Sequence, residues 1–172
     1  NTFFFFFSVA HVSLAQPVCA HLSAVLARSV ADAGLGDKVR LHQGGTYVCI
    51  EGPQFSTMAE SHWYRSMGAS VIGMTNMPEA KLAREAQMAY ATLAMVTDYD
   101  CWHPREAHVT ADAAIANLMQ NAGHAQAIAA EAIRILGREM PTSAAHSALD
   151  SALVTGRETM SPEVRERLKV FW

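Results

Sequence analysis

Apolar positions along this chain change period several times, and the changes mark out its elements. Val18, Leu22, Val25, Leu26 and Val30 recur at helical spacing and predict a helix over 17–35. Pro17 suits its first turn, and Gly34 and Gly36 end it. Residues 45–50, Gly-Thr-Tyr-Val-Cys-Ile, are β-branched and aromatic and predict a strand, broken by Glu51-Gly52-Pro53. A helix over 57–67 follows, carrying Met58, Trp63 and Met67. The short apolar run at 69–74 reads as a buried strand. Residues 78–90 read as a helix with Glu79, Lys81, Arg84 and Glu85 on a wet face. Residues 91–97, Ala-Thr-Leu-Ala-Met-Val-Thr, are almost wholly apolar, as in a strand covered on both faces. A long Ala-rich helix is predicted over 110–136 with Thr110 as N-cap, a looser stretch over 141–160, and a charged helix over 161–171.

Strands alternating with helices predict an α/β layer structure with a largely parallel or mixed sheet and flanking helices. Three or four strands are few for a complete doubly wound domain. No internal repeat is visible. The start breaks the pattern: Asn1-Thr2 is followed by five phenylalanines, Phe3 to Phe7. A signal peptide needs a basic start and a longer apolar stretch. The run reads either as a buried strand or as a disturbed segment standing where other chain belongs.

Composition narrows the class. The chain has 172 residues, 51% hydrophobic and 17% charged, so disorder is excluded. The formal net charge of -3 leaves no basic footprint for nucleic acid. No apolar run approaches the roughly 18 to 20 residues that span a bilayer. Cys19, Cys49 and Cys101 are too scattered for a disulfide framework or a CxxC zinc site. A soluble protein of the reducing cytoplasm is expected.

In open α/β sheets ligands lie beyond the carboxyl ends of the strands. The predicted strand at 91–97 runs into Thr97-Asp98-Tyr99-Asp100-Cys101-Trp102. Two acids at i and i+2 offer a donor–acceptor edge that suits a heteroaromatic base, or simply cap a turn. The strand at 69–74 ends in Gly73-Met74-Thr75-Asn76, which reads as an apolar wall with a hydroxyl or as a plain strand-to-helix turn. Phe55, after the strand at 45–50, stacks on a base at a rim or fills a core. Eight histidines show neither HExxH nor clustered spacing, so no metal site is expected. No GxGxxG, P-loop or GxSxG is present, which leaves a glycine-rich nucleotide loop and a serine hydrolase elbow without support.

The wording of these strand ends is more specific than their pattern. Ala10-His11-Val12-Ser13-Leu14-Ala15-Gln16-Pro17-Val18-Cys19, Gly45 through Ser56, Ala59-Glu60-Ser61, Val71 through Glu85 and Val96 through Trp102 stand in family order. Across residues 9–136 the chain resembles the purine nucleoside phosphorylase superfamily, in its 5'-methylthioadenosine and methylthioinosine phosphorylase branch. The resemblance implies that phosphate attacks the anomeric carbon of a 5'-methylthio nucleoside, releasing a purine and 5-methylthioribose 1-phosphate. It implies that Asp98 meets purine N7 and that Asp100 reads the 6-position. It sets Phe55 on the base, Ile72 and Met74 on the nucleoside with Met74 at the ribose, and Thr75 at phosphate. Val109, Ala111 and Ala114 fall where the family lines the base and the 5'-thioether, the two alanines being smaller than the pattern leads one to expect. His11 falls where family members reach a neighbour's 5' substituent, which implies a homotrimer. No cofactor is implied, inorganic phosphate being the co-substrate.

Family members extend well over a hundred residues further toward the N-terminus, where the phosphate-binding turn and an Arg-His pair lie. The resemblance therefore implies that residues 1–172 form one incomplete domain with residues 1–8 atypical. An isolated chain without measurable phosphorolysis is expected. Two alternatives stand beside the methylthioadenosine reading. One is a methylthioinosine or other purine nucleoside phosphorylase. The other is an inactive remnant that binds purine or only assembles.

Overall fold

The computed structural model describes residues 2–5, 8–103 and 111–171, with the side chains of 2–5, 111, 113 and 114 left aside. The chain divides into two compact units, one of Asn1–Ser23, Pro78–Ala91 and Pro141–Trp172, the other of Ala24–Met77 and Thr92–Met140.

In the first unit Phe3, Phe4 and Phe5 lie in a strand. β1 (Thr2–Phe5) pairs antiparallel with β2 (Ser8–His11), Phe3 opposite Ala10 and Phe4 opposite Val9. Ala10 and Val12 are buried and pack with Leu149 and Ala152, and Leu153 and Phe171 close the cluster. Full burial of a side chain such as Leu149 contributes about 2 kcal/mol. The stretch over 141–160, featureless in its periodicity, is thereby the wall of a small core. It is fixed to β2 by backbone bonds from His11 N to Ala152 O (2.8 Å) and from Val154 N to Val9 O (2.9 Å). α5 (Pro162–Leu168) opens as predicted on Ser161, whose hydroxyl accepts from Val164 N at 3.3 Å. It is shorter than the predicted 161–171, because Lys169–Phe171 tighten into a 3-10 turn.

α3 (Asn76–Glu85) stops five residues before its predicted end at 90. Gln87 has φ 56°, in the left-handed region that ends helices. Its amide compensates for the lost helical bonds. Nε2 donates to Phe171 O at 2.6 Å, and Oε1 accepts from Leu149 N at 3.0 Å.

The second unit contains most of α1 (Ala20–Asp32), which begins three residues after its predicted start, and α4 (Ala111–Glu139). Val25 packs against Ala132 and Ile135 with Leu26 and Leu136 beside them. At the edge of this contact Arg28 makes a two-pronged bond to Glu139, 2.8 and 2.6 Å. Thr110, the predicted cap of α4, lies outside the described residues. β3 (Thr46–Cys49), α2 (Met58–Ser66) and β4 (Ala69–Gly73) make a strand–helix–strand unit with the strands parallel, Val48 opposite Ile72 and Cys49 opposite Gly73. Both strand directions of the expected mixed sheet are present, in two separate pairs.

One predicted strand does not form among the described residues. Residues 91–97 have no ladder among the described residues. Their side chains still alternate, Leu93, Met95 and Thr97 half-buried and Thr92, Ala94 and Val96 exposed, which is the period of a strand. Among the described residues what is lacking is a strand paired with the backbone. Two side chains of α4 bond to it: Asn117 Nδ2 donates to Thr97 O (2.6 Å) and Asn121 Nδ2 to Val96 O (3.0 Å). Among the described residues no helix is long and apolar enough to cross a membrane.

Candidate functional site

Three segments of the second unit meet beyond the carboxyl ends of β3 and β4. The first is Gly52–Ser56. Gly52 has φ 70° and lies so close to Met74 that a Cβ there would strike the thioether. Only glycine combines that backbone with that approach. Phe55 is 79% exposed, so it stands at a rim and not in a core. The second segment follows β4. Ile72 and Met74 are half-buried and Thr75 is exposed. Asn76 is buried, and its Oδ1 accepts from the Thr92 hydroxyl. Met77 N reaches Cys49 Sγ at 3.5 Å, holding the start of α3 to the end of β3.

The third segment carries the two acids. Asp98 is exposed; its Oδ2 accepts from the Thr97 hydroxyl (2.6 Å) and its Oδ1 from Asp100 N (2.9 Å). The second bond closes an Asx turn around Tyr99. Asp100 takes φ 58°, a left-handed conformation that aspartate tolerates better than most residues. Its Oδ2 accepts from the Ser61 hydroxyl at 2.6 Å. Cys101 Sγ meets Ser56 O at 3.6 Å, so the acid segment and the Phe55 segment touch.

α2 holds this arrangement from one side. Its N-terminus is a complete capping box: Thr57 Oγ1 accepts from Glu60 N (3.3 Å), and Glu60 Oε2 accepts from Thr57 N (2.7 Å) and from the Thr57 hydroxyl (2.8 Å). The bond from the Thr57 N–H and then that from its hydroxyl hold the Glu60 carboxyl below the usual glutamate range. Ser61 and Arg65 are four apart and share one helix face. Ser61 holds Asp100, and the Arg65 guanidinium sits 3.4 Å from the centre of the Trp102 ring.

The structure thus gathers Phe55, Met74 and the acid pair into neighbouring segments, with Ile72 at the end of β4 and Thr75 following it. His11 belongs to the other unit, at the exposed end of β2. Val109 lies outside the described residues. Ala111 and Ala114 stand in the first turn of α4, their side chains outside the description. Ser61 stands in a quoted motif without a role, and Arg65, Asn117 and Asn121 were not singled out from the sequence. Each reaches a segment distant in the chain, and the only local signal is the four-residue spacing within each pair.

Residues 1–134 match the phosphorylase superfamily. The chain is 53% identical over 171 residues to an S-methyl-5'-thioadenosine phosphorylase of Thermosynechococcus vestitus, covering 99% of this chain and 59% of the relative. With the enzyme of the same name from Geobacter sulfurreducens it shares 51% identity, over 99% of this chain and 58% of the relative. It therefore spans well under two thirds of the length of these curated relatives. Among solved structures, a methylthioadenosine phosphorylase from an Antarctic soil metagenomic library superposes with a TM-score of 0.85 at 56% identity, covering 96% of this chain and 57% of that one. A methylthioadenosine phosphorylase from Schistosoma mansoni in complex with adenine gives 0.69 at 33%, covering 77% of this chain and 50% of that one. With a family match over residues 1–134 and about half of its residues identical to these relatives, the chain belongs to the phosphorylase superfamily, beside the methylthioadenosine phosphorylases.

Proposed function

We propose that this chain supplies the purine and ribose side of a phosphorylase site acting on 5'-methylthioadenosine. In the reaction a phosphate oxygen bonds to the anomeric carbon while the bond to purine N9 breaks. The electron pair passes to the base, which leaves as adenine, and the sugar leaves as 5-methylthioribose 1-phosphate. Charge develops on the leaving purine, so a group that protonates or hydrogen-bonds N7 lowers the barrier. Asp98, as a donor in the transition state, is that group in this reading, and Asp100 accepts from the 6-amino group. Phe55 offers its exposed face to the base, Ile72 and Met74 an apolar wall to the nucleoside with Met74 at the ribose, and Thr75 its hydroxyl to phosphate. Val109, Ala111 and Ala114 line the base and thioether side. His11 reaches the 5' substituent held by a neighbouring copy in a homotrimer. The protein works in the cytoplasm, with inorganic phosphate as co-substrate and no cofactor.

The observation that carries this reading is the contact of the two motif segments, Ser61 to Asp100 and Cys101 to Ser56, in a chain about half identical to enzymes of that name. The test joins this chain to the part of the Thermosynechococcus relative that it does not span. Phosphate-dependent release of adenine from methylthioadenosine is expected, with loss of activity in Asp98→Asn. Absence of release from the folded hybrid refutes the reading. Purine binding without any turnover favours a binding remnant, and preferred release of hypoxanthine from methylthioinosine favours the 6-oxo branch.

A further inference from the structure

We infer that Ser61 is a positioning residue that sets the site's choice between 6-amino and 6-oxo purines by fixing Asp100 as an acceptor. This rests on the purine-site reading above and names a determinant within it.

An ionised aspartate only accepts, so in the 2.6 Å contact the Ser61 hydroxyl is the donor and Asp100 Oδ2 the acceptor. Ser61 is 2% exposed, so water competes poorly for that hydroxyl. The bond orients the carboxylate plane and occupies one oxygen. Among the described residues Oδ1 takes no hydrogen bond and is left for a ligand. The backbone is fixed as well, since Asp100 N is held by Asp98 Oδ1 at 2.9 Å. An oriented acceptor rewards a purine that presents an N–H donor at position 6. It penalises one that presents a carbonyl, because two acceptors then face each other. Ser61 is itself placed by the helix. It follows the capping box directly, and its N–H bonds Thr57 O at 3.0 Å. The other serine of α2, Ser66, donates instead to Trp63 O at 2.7 Å.

Titration calorimetry of adenine and of hypoxanthine into the wild-type chain and two variants tests the inference. The readout is the ratio of the two affinities, which a general loss of packing would not change in favour of one base. Wild type is expected to prefer adenine. Ser61→Ala is expected to narrow the preference by about tenfold, the size of one hydrogen bond to a charged group. Ser61→Thr, which keeps the hydroxyl, is expected to retain most of it. An unchanged ratio in Ser61→Ala overturns the role of Ser61 while leaving the purine site standing. Loss of the preference in Ser61→Thr, with adenine still bound, also overturns it. Failure of the wild-type chain to bind either purine overturns the purine-site reading and this inference with it.

Discussion

The guanidinium of Arg65 lies 3.4 Å from the centre of the Trp102 ring, one helical turn beyond the serine that holds Asp100. Trp102 in turn meets Tyr99 edge-on at 6.1 Å, and Tyr99 stacks on His103 at 4.7 Å. The segment bearing both acids is therefore anchored to α2 at its far end by a cation over an aromatic face. At an exposed arginine such a contact is worth about 0.5–1 kcal/mol. Arg65→Ala is expected to lower stability by that amount. It is also expected to shift Trp102 fluorescence to the red, read in a background carrying Trp63→Phe and Trp172→Phe. An unshifted emission would show that the arginine does not hold the ring.

The capping box of α2 is the second point of support. Thr57→Ala removes the acceptor for Glu60 N and the hydroxyl that donates to Glu60 Oε2. A loss of about 1 kcal/mol is expected, read as a lower urea midpoint with unchanged slope. Because Ser61 sits in the same turn, adenine affinity is expected to fall as well. A variant that loses stability and keeps adenine affinity would separate the cap from the site.

Glu60 makes that support depend on pH. Its folded carboxyl is held below the usual glutamate value by bonds that exist only in the folded chain. The stabilisation is thus fully present above the unfolded value of about 4.3 and is lost as pH falls through the lowered folded value. Carboxyl-carbon NMR should show Glu60 titrating below a model glutamate. In Thr57→Val the titration should return toward the ordinary value.

Cys19 precedes α1 and meets a different balance. Burial pushes its thiol up. Bonds from the Ser143 hydroxyl and from the backbone of Leu22 and His21, with the Arg84 charge, outweigh it and leave the thiol below the usual cysteine value. Alkylation followed by mass spectrometry should give a midpoint for Cys19 below that of a free thiol. Ser143→Ala should raise it. A midpoint unmoved by that change would remove the serine from the account.

Gly52 is expected to be irreplaceable for two separable reasons. Its left-handed backbone costs an alanine about 1–2 kcal/mol, and the added Cβ displaces the Met74 thioether. Gly52→Ala should therefore lose both stability and adenine affinity. Adding Met74→Ala should relieve the steric part and leave the backbone cost, which a double-mutant cycle resolves.

Elements with a local signature were legible in the sequence, and those built by distant contacts were not. β3 and β4 announced themselves by β-branched runs closed by Glu51-Gly52-Pro53 and Thr75-Asn76. The α5 cap was equally plain in Ser161-Pro162-Glu163. Residues 91–97 carry the same kind of signal, yet a strand needs a partner, and composition says nothing of whether one is at hand. The early end of α3 depends on Gln87 finding Leu149 and Phe171, far along the chain. Of the site, Asp98, Asp100 and Phe55 could be chosen because strand ends are where ligands bind. Ser61 could not, since only the fold brings it 2.6 Å from an acid thirty-nine residues away.

The two asparagines of α4 give the acid segment an unusual kind of mounting. A sheet ladder opens as a unit, each bond supporting the next. Asn117 and Asn121 instead hold Thr97 and Val96 through separate side chains, each free to change rotamer without the other. The mounting of the stretch leading to the first acid thus rests on two independent side chains, and loss of either one leaves the other bond in place.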